Sequence, residues 1–137
     1  MKPHVSAITL GVKDVAKAKQ FYHDGLGWPT VQDYGEWVAF NLGDGSTILG
    51  LFSSKALAAE AGVGEDGAGC RGVTLSYLVR DEQTVDRVMA EAAKADAKIV
   101  RAAQKAQWGG YFGYFADPDG YLWKVAGGAG DWPFNAE

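Results

Sequence analysis

An α+β fold of two tandem β-α-β-β-β modules is the class this chain predicts, and three observations lead to it. An aspartate placed to cap a helix follows a short strand-like run twice, in Val12-Lys13-Asp14 and in Val79-Arg80-Asp81, 67 residues apart. Asp44-Gly45 and Asp119-Gly120 are turn signals at equivalent places in two later hairpins, 75 residues apart. Between the halves, Gly62, Gly64, Gly67, Gly69 and Gly72 make one segment too glycine-rich to hold a helix or strand. The unequal offsets mean that the halves differ by a loop insertion.

Taken in order, Val5 to Val12 alternates apolar and small polar residues and reads as a strand. Asp14 opens an amphipathic helix whose apolar positions are Val15, Ala18, Phe21, Tyr22 and Leu26. Gly25 and Gly27 supply the glycine that helix ends favour, and Pro29 bars continuation. Glu36 to Leu42 and Thr47 to Ser53 read as strands, and Lys55 to Ala61 as one or two helical turns. The grammar then returns. Val73 to Val79 is a strand, Asp81 a cap, and Val85, Val88, Met89 and Ala92 the apolar face of a helix. Strands follow around Ile99, over Gly110 to Ala116 and over Tyr121 to Ala126. The boundaries are a first module over 1–61, a linker over 62–72, a second module over 73–127 and a tail over 128–137, all in one domain.

Composition excludes several classes. With 137 residues, 47% of them apolar, the chain can bury a core, and no apolar run reaches membrane-span length. The start, Met1-Lys2-Pro3-His4-Val5, has no signal-like apolar core, so a cytoplasmic setting is expected. Cys70 is the single cysteine and has no Cys or His at metal-ligand spacing. A net charge of −4 with scattered Lys and Arg argues against a nucleic-acid partner. No triad spacing or phosphate-cradling glycine loop stands out. His4 and His23 read as solvated histidines.

The paired modules, the Val-Lys-Asp helix start followed by Phe21-Tyr22 and Gly25-Leu26-Gly27, and Asp117-Pro118-Asp119-Gly120 together resemble the vicinal oxygen chelate superfamily. That superfamily includes glyoxalase I, extradiol dioxygenases and bleomycin-resistance proteins. The resemblance implies a curled eight-stranded mixed sheet around a cleft, commonly in dimers, and in the enzymes a divalent metal held by His or Glu from the first and last strands of each module. Carried over, the first-strand positions are Ala7 and Thr74, and the last-strand positions are Lys124 and Leu49, with Gly50 the alternative if the turn slips. None holds His, Glu or Asp, and an ammonium repels a divalent cation. The expectation is that the metal site is absent and that no cofactor is held.

With Ala7 and Thr74 facing inward, strand alternation brings Thr9 and Ser76 to the same face and turns Ile8, Leu10, Leu75 and Tyr77 toward the helices. Trp37, Trp108 and Tyr111 are candidates for a ligand wall, since the glycines of Trp108-Gly109-Gly110-Tyr111 let backbone approach a ligand or bend a strand. Lys124 has three readings: a snorkelling strand lysine, a cleft cation pairing an anionic ligand or a carboxylate such as Glu36, or a reactive amine. The predicted ligand-binding set is Thr9, Trp37, Leu49, Thr74, Ser76, Trp108, Tyr111 and Lys124. The expected function is metal-free binding of a small organic molecule in an aromatic-lined cleft by a homodimer. The alternative is an enzyme of the superfamily, a lyase, isomerase or dioxygenase, with atypical ligands or metal-free catalysis. A degenerate module working through protein contacts is the third. Ligand identity, catalysis, dimer type and any gating by the 62–72 loop stay open at this level.

Overall fold

The structure, a computed structural model, describes residues 1–66, 70–128 and 130–137. Gly67 and Gly69 of the expected linker lie outside the described residues. The elements run β1 (Ala7–Val12), α1 (Val15–Lys19), a π-helical turn (Gln20–Gly25), β2 (Thr30–Asp33), β3 (Trp37–Leu42), β4 (Thr47–Ser53), α2 (Ser54–Ala61), β5 (Val73–Leu78), α3 (Glu82–Lys94), β6 (Lys98–Lys105), β7 (Tyr111–Ala116) and β8 (Leu122–Gly127). The strands form one eight-stranded mixed sheet, ordered β2-β3-β4-β1-β5-β8-β7-β6 and not closed into a barrel. Each first strand runs parallel to the last strand of its own half, and β1 and β5 join the halves antiparallel, with Thr9 opposite Thr74 and Ala7 opposite Ser76.

Both predicted caps form. The Asp14 carboxylate accepts from the Lys17 amide at 3.1 Å, and that of Asp81 accepts from the Thr84 amide at 2.8 Å and the Thr84 hydroxyl at 2.7 Å. These hydrogen bonds, the hydroxyl's first, lower the Asp81 carboxyl below the ordinary carboxylate value. The Asp117 carboxylate likewise accepts from the amides of Asp119 and Tyr121 at 3.0 and 2.9 Å, which closes the turn between β7 and β8.

The first helix departs from expectation. After one α-helical turn it widens, with the Leu26 amide bonding to the Phe21 carbonyl five residues back. The extra residue makes the apolar stripe slip in phase. Val15, Ala18 and Tyr22 pack on Val38, Phe40 and Leu51, whereas Phe21 and Leu26 are left exposed. Strand β2 was not read from the sequence; at four residues, with bulged pairing to β3, its pattern is too short to register. On the same face of the sheet, α3 buries Val85, Val88 and Met89 against Tyr77, Val79, Phe115 and Val125.

The opposite face is covered from within the chain. Helix α2, capped by the Ser53 hydroxyl accepting from the Ala56 amide at 3.0 Å, packs on β1 and β4. The tail lays Phe134 on Ala7, Ala39 and Ile48. His4 is held there rather than solvated: its Nε2 lies 3.1 Å from the Phe134 carbonyl, and its ring stands edge-on to Tyr77.

The Tyr77 hydroxyl donates to the Glu137 carboxylate and accepts from the Lys2 amide at 2.9 Å. Burial first, and then the bond to Glu137, pushes this phenol up to about 12 from its ordinary 10.0. A raised pKa means that the phenol's contribution to stability is whole below the ordinary value and is lost as pH rises through 10.0 toward about 12. Tyr77→Phe is therefore expected to flatten the fall in stability across that alkaline range, as read by urea unfolding at a series of pH values. An unchanged slope would assign the loss to other groups.

Candidate functional site

Register assembles the site. Lys124 lies opposite Ser76 on β5 and Tyr114 on β7, and Tyr114 lies opposite Arg101 on β6. Laterally paired residues leave a sheet on one side, so these four form a row on the face away from α1 and α3. Above the row, the end of α2 brings down Glu60. One oxygen of its carboxylate takes both the Lys124 ammonium and, at 3.0 Å, the Tyr114 hydroxyl. The Arg101 guanidinium donates to the Glu60 carbonyl at 2.6 Å. The Lys124 and Glu60 side chains are 19% and 20% exposed, which makes this an ion pair at the edge of the interior.

Two aromatic rings wall the pair. Lys124 Nζ lies 5.1 Å from the Phe112 ring centre and 5.4 Å from that of Trp108, within cation–π range. Trp108 and Phe112 stack with centroids 6.4 Å apart, and Arg101 lies over Phe112 at 5.3 Å. Gly110 makes this possible. A Cβ there would sit 1.9 Å from the Trp108 ring, so only glycine lets the indole fold back over the start of β7. Burial, and then the Glu60 charge, pushes the Tyr114 phenol well above its ordinary value, which keeps it a hydrogen-bond donor.

The predicted residues divide three ways. Ser76, Trp108 and Lys124 meet in the cluster. Thr9 and Thr74 face each other across the central seam on the same side, but are 4% and 1% exposed. Trp37 shares that face, its indole lying on Gly50 and donating to Gln32 Oε1 at 2.7 Å, but β3 is four strands from β8, roughly 19 Å at the usual strand spacing. Leu49 and Tyr111 lie on the other side. Leu49 pairs with Ile8 and Phe40, whereas Gly50, the alternative position, pairs with Thr9 and Ala39. The Tyr111 hydroxyl donates to Asp86 of α3 at 2.7 Å, and Lys105 lies over its ring. Alternation explains the Tyr111 difference, because Phe112 and Tyr114 occupy the inner positions of β7.

The carboxylate that meets Lys124 is Glu60, not Glu36, which is exposed before β3 at the far side of the sheet. Glu60 and Arg101 went unread. A signal for Glu60 existed: it stands three residues after the buried Leu57 and beside the buried Ala61, on the margin of the apolar stripe of α2.

The tandem modules, the seam between β1 and β5 and the DPDG turn now stand beside a match over residues 4–125 to the Glyoxalase/Bleomycin resistance protein/Dioxygenase superfamily. The chain belongs to that superfamily. Among similar solved structures, one described as an NAD-dependent benzaldehyde dehydrogenase from Legionella pneumophila is 20% identical over 88% of this chain and 96% of its own, with a TM-score of 0.72. A glyoxalase/bleomycin resistance protein/dioxygenase superfamily member from Vibrio splendidus 12B01 is 21% identical over 88% and 95%, with a TM-score of 0.54. The Mn(II)-bound glyoxalase from Novosphingobium aromaticivorans is 20% identical over 92% of this chain and 39% of its own, at 0.58. These are likenesses of fold. No curated protein matches the chain.

Against the superfamily's metal chemistry, the inner-face positions hold Ala7, Thr74, Lys124 and Gly50. Two offer no donor, one offers a neutral hydroxyl and one an ammonium. This set does not fit a divalent cation. Among the described residues no group of three or more His, Cys, Asp or Glu side chains is placed to hold one elsewhere.

Proposed function

We propose that this superfamily member binds a small organic molecule against the Trp108 and Phe112 rings beside Lys124, without a metal at the four customary positions. The observation that carries the reading is Lys124 itself. A lysine stands on the strand position that the resemblance assigns to a metal ligand, partly buried, paired with Glu60 and beside two aromatic rings. Apolar walls with a few placed polar groups are what small-molecule sites use. Trp108, 50% exposed, keeps a face of the site in reach of solvent.

Metal analysis of protein purified without chelator, joined to a tryptophan-fluorescence ligand screen, tests both halves. Less than stoichiometric zinc, nickel, iron and manganese is expected, together with quenching that Trp108→Ala abolishes. One tightly held equivalent of any of these metals would overturn the metal-free half.

A second reading, metal-free catalysis, is favoured by one observation: a carboxylate, a phenol and an amine lie in one hydrogen-bonded group, the usual apparatus of proton transfer. Loss of turnover in Lys124→Ala with the fold retained would select it. The proposal also takes the protein as a cytoplasmic homodimer with no nucleic-acid partner. Phe21, Leu26, Val31 and Tyr34 are large apolar side chains left exposed in one stretch of the first module, and no helix among the described residues is long and apolar enough to cross a membrane. Light scattering that returns one monomer mass at all concentrations would refute the dimer.

A further inference from the structure

We infer that the ligand of this site carries a carboxylate on a planar apolar body, and that the Glu60 side chain occupies the place of that carboxylate until the ligand arrives. The inference rests on the small-molecule reading above and adds the chemical class.

The recognition geometry is already made. A single carboxylate oxygen of Glu60 receives the Lys124 ammonium and the Tyr114 hydroxyl together, two donors rooted on adjacent strands and held in register by the sheet. Any carboxylate delivered to that point meets the same pair, and charge-assisted hydrogen bonds are the strong ones. Burial and the neighbouring carboxylate hold Tyr114 protonated, so it stays a donor when the acceptor changes.

Glu60 is the replaceable member. It comes from a helix of eight residues, and its side chain is 20% exposed, so a rotamer change toward solvent releases both donors while Leu57, Ala58 and Ala61 keep α2 docked. Arg101 grips the carbonyls of Ala59 and Glu60, not the carboxylate, so the backbone stays in place when the side chain leaves. The rings give the rest of the ligand its shape. Trp108, half exposed and stacked on the buried Phe112 with planes 29° apart, presents a flat surface whose ring centre lies 5.4 Å from Lys124 Nζ. A planar body follows from that surface, and an anionic head from the donors.

Calorimetric titration with benzoate, the neutral isostere benzamide and the cation benzylammonium tests this in wild type, Glu60→Gln, Lys124→Met and Tyr114→Phe, each first checked for folding by circular dichroism. Wild type is expected to prefer benzoate. Glu60→Gln removes the competing charge and should tighten benzoate at least tenfold while benzamide changes less than threefold. Tyr114→Phe and Lys124→Met should each erase the preference for benzoate, and Tyr114→Phe stands in should Lys124→Met not fold. Benzoate binding that is unchanged or weaker in Glu60→Gln, with benzamide still bound, would overturn the carboxylate assignment and leave the small-molecule reading standing. Tighter binding of benzylammonium than of benzoate by wild type would make Glu60 the recognition group and overturn it too. Binding of no probe by any folded variant would overturn both.

Discussion

Lys124→Met destabilises the fold by about 2 to 3 kcal/mol in urea unfolding at neutral pH. Removing one member of a buried ion pair costs roughly 3 to 5 kcal/mol because the other charge is stranded. At about one-fifth exposure, water reaches Glu60 and screens part of that penalty, which sets the lower figure. The cause is checked by adding Glu60→Leu. If stranded charge is the source, the double variant regains stability relative to Lys124→Met. Recovery is incomplete, since Tyr114 then loses its acceptor in a buried place, at a cost of about 1 to 3 kcal/mol. Tyr114→Phe in the same chain should restore the remainder. If Glu60→Leu instead adds its own loss to that of Lys124→Met, the two side chains do not act as one unit.

Phe134→Ala is the second large effect, a loss of about 3 kcal/mol. Phe134 is 6% exposed and seals the inner face over Ala7, Ala39 and Ile48, backed by Trp132 at a centroid separation of 5.2 Å. Truncating a buried phenylalanine typically costs about 3 to 5 kcal/mol, from lost transfer energy and the cavity left behind. The low end applies because the tail is able to settle into part of the space. Phe134→Leu should cost less than half as much, since most of the volume stays. A loss under about 1 kcal/mol in Phe134→Ala would show that the tail is not part of the core. The same side chain explains a small residue at Ala7, which is roofed by the Phe134 ring.

Much of the fold was legible because its signals are local. Asp14 and Asp81 cap helices in the predicted way, Asp117 closes the predicted turn, and the apolar spacing of α3 matches the side it buries. The first helix misled at Phe21 and Leu26, because spacing reports a face only while the turn stays regular, and here it widens. The site was legible in part. Alternation placed Thr9 and Ser76 on the face of Ala7 and Thr74, and the register puts Lys124 there too. The 75-residue offset pointed to Leu49, whereas the register puts its alternative, Gly50, on that face. Trp108 and Tyr111, only three residues apart, end on opposite faces of the sheet, because Trp108 folds back from the turn before β7.

By itself the sequence determined the doubled module and its caps and turns, since each signal depends on residues within a few positions of one another. Only the tertiary structure decided what Lys124 does. Its partner lies 64 residues away, on a helix whose descent onto the second module no local pattern encodes. A strand lysine has the same sequence signature whether it ends in water or against a carboxylate. Packing, which sums over the whole chain, chose Glu60 over Glu36 and set Lys124 beside two stacked rings.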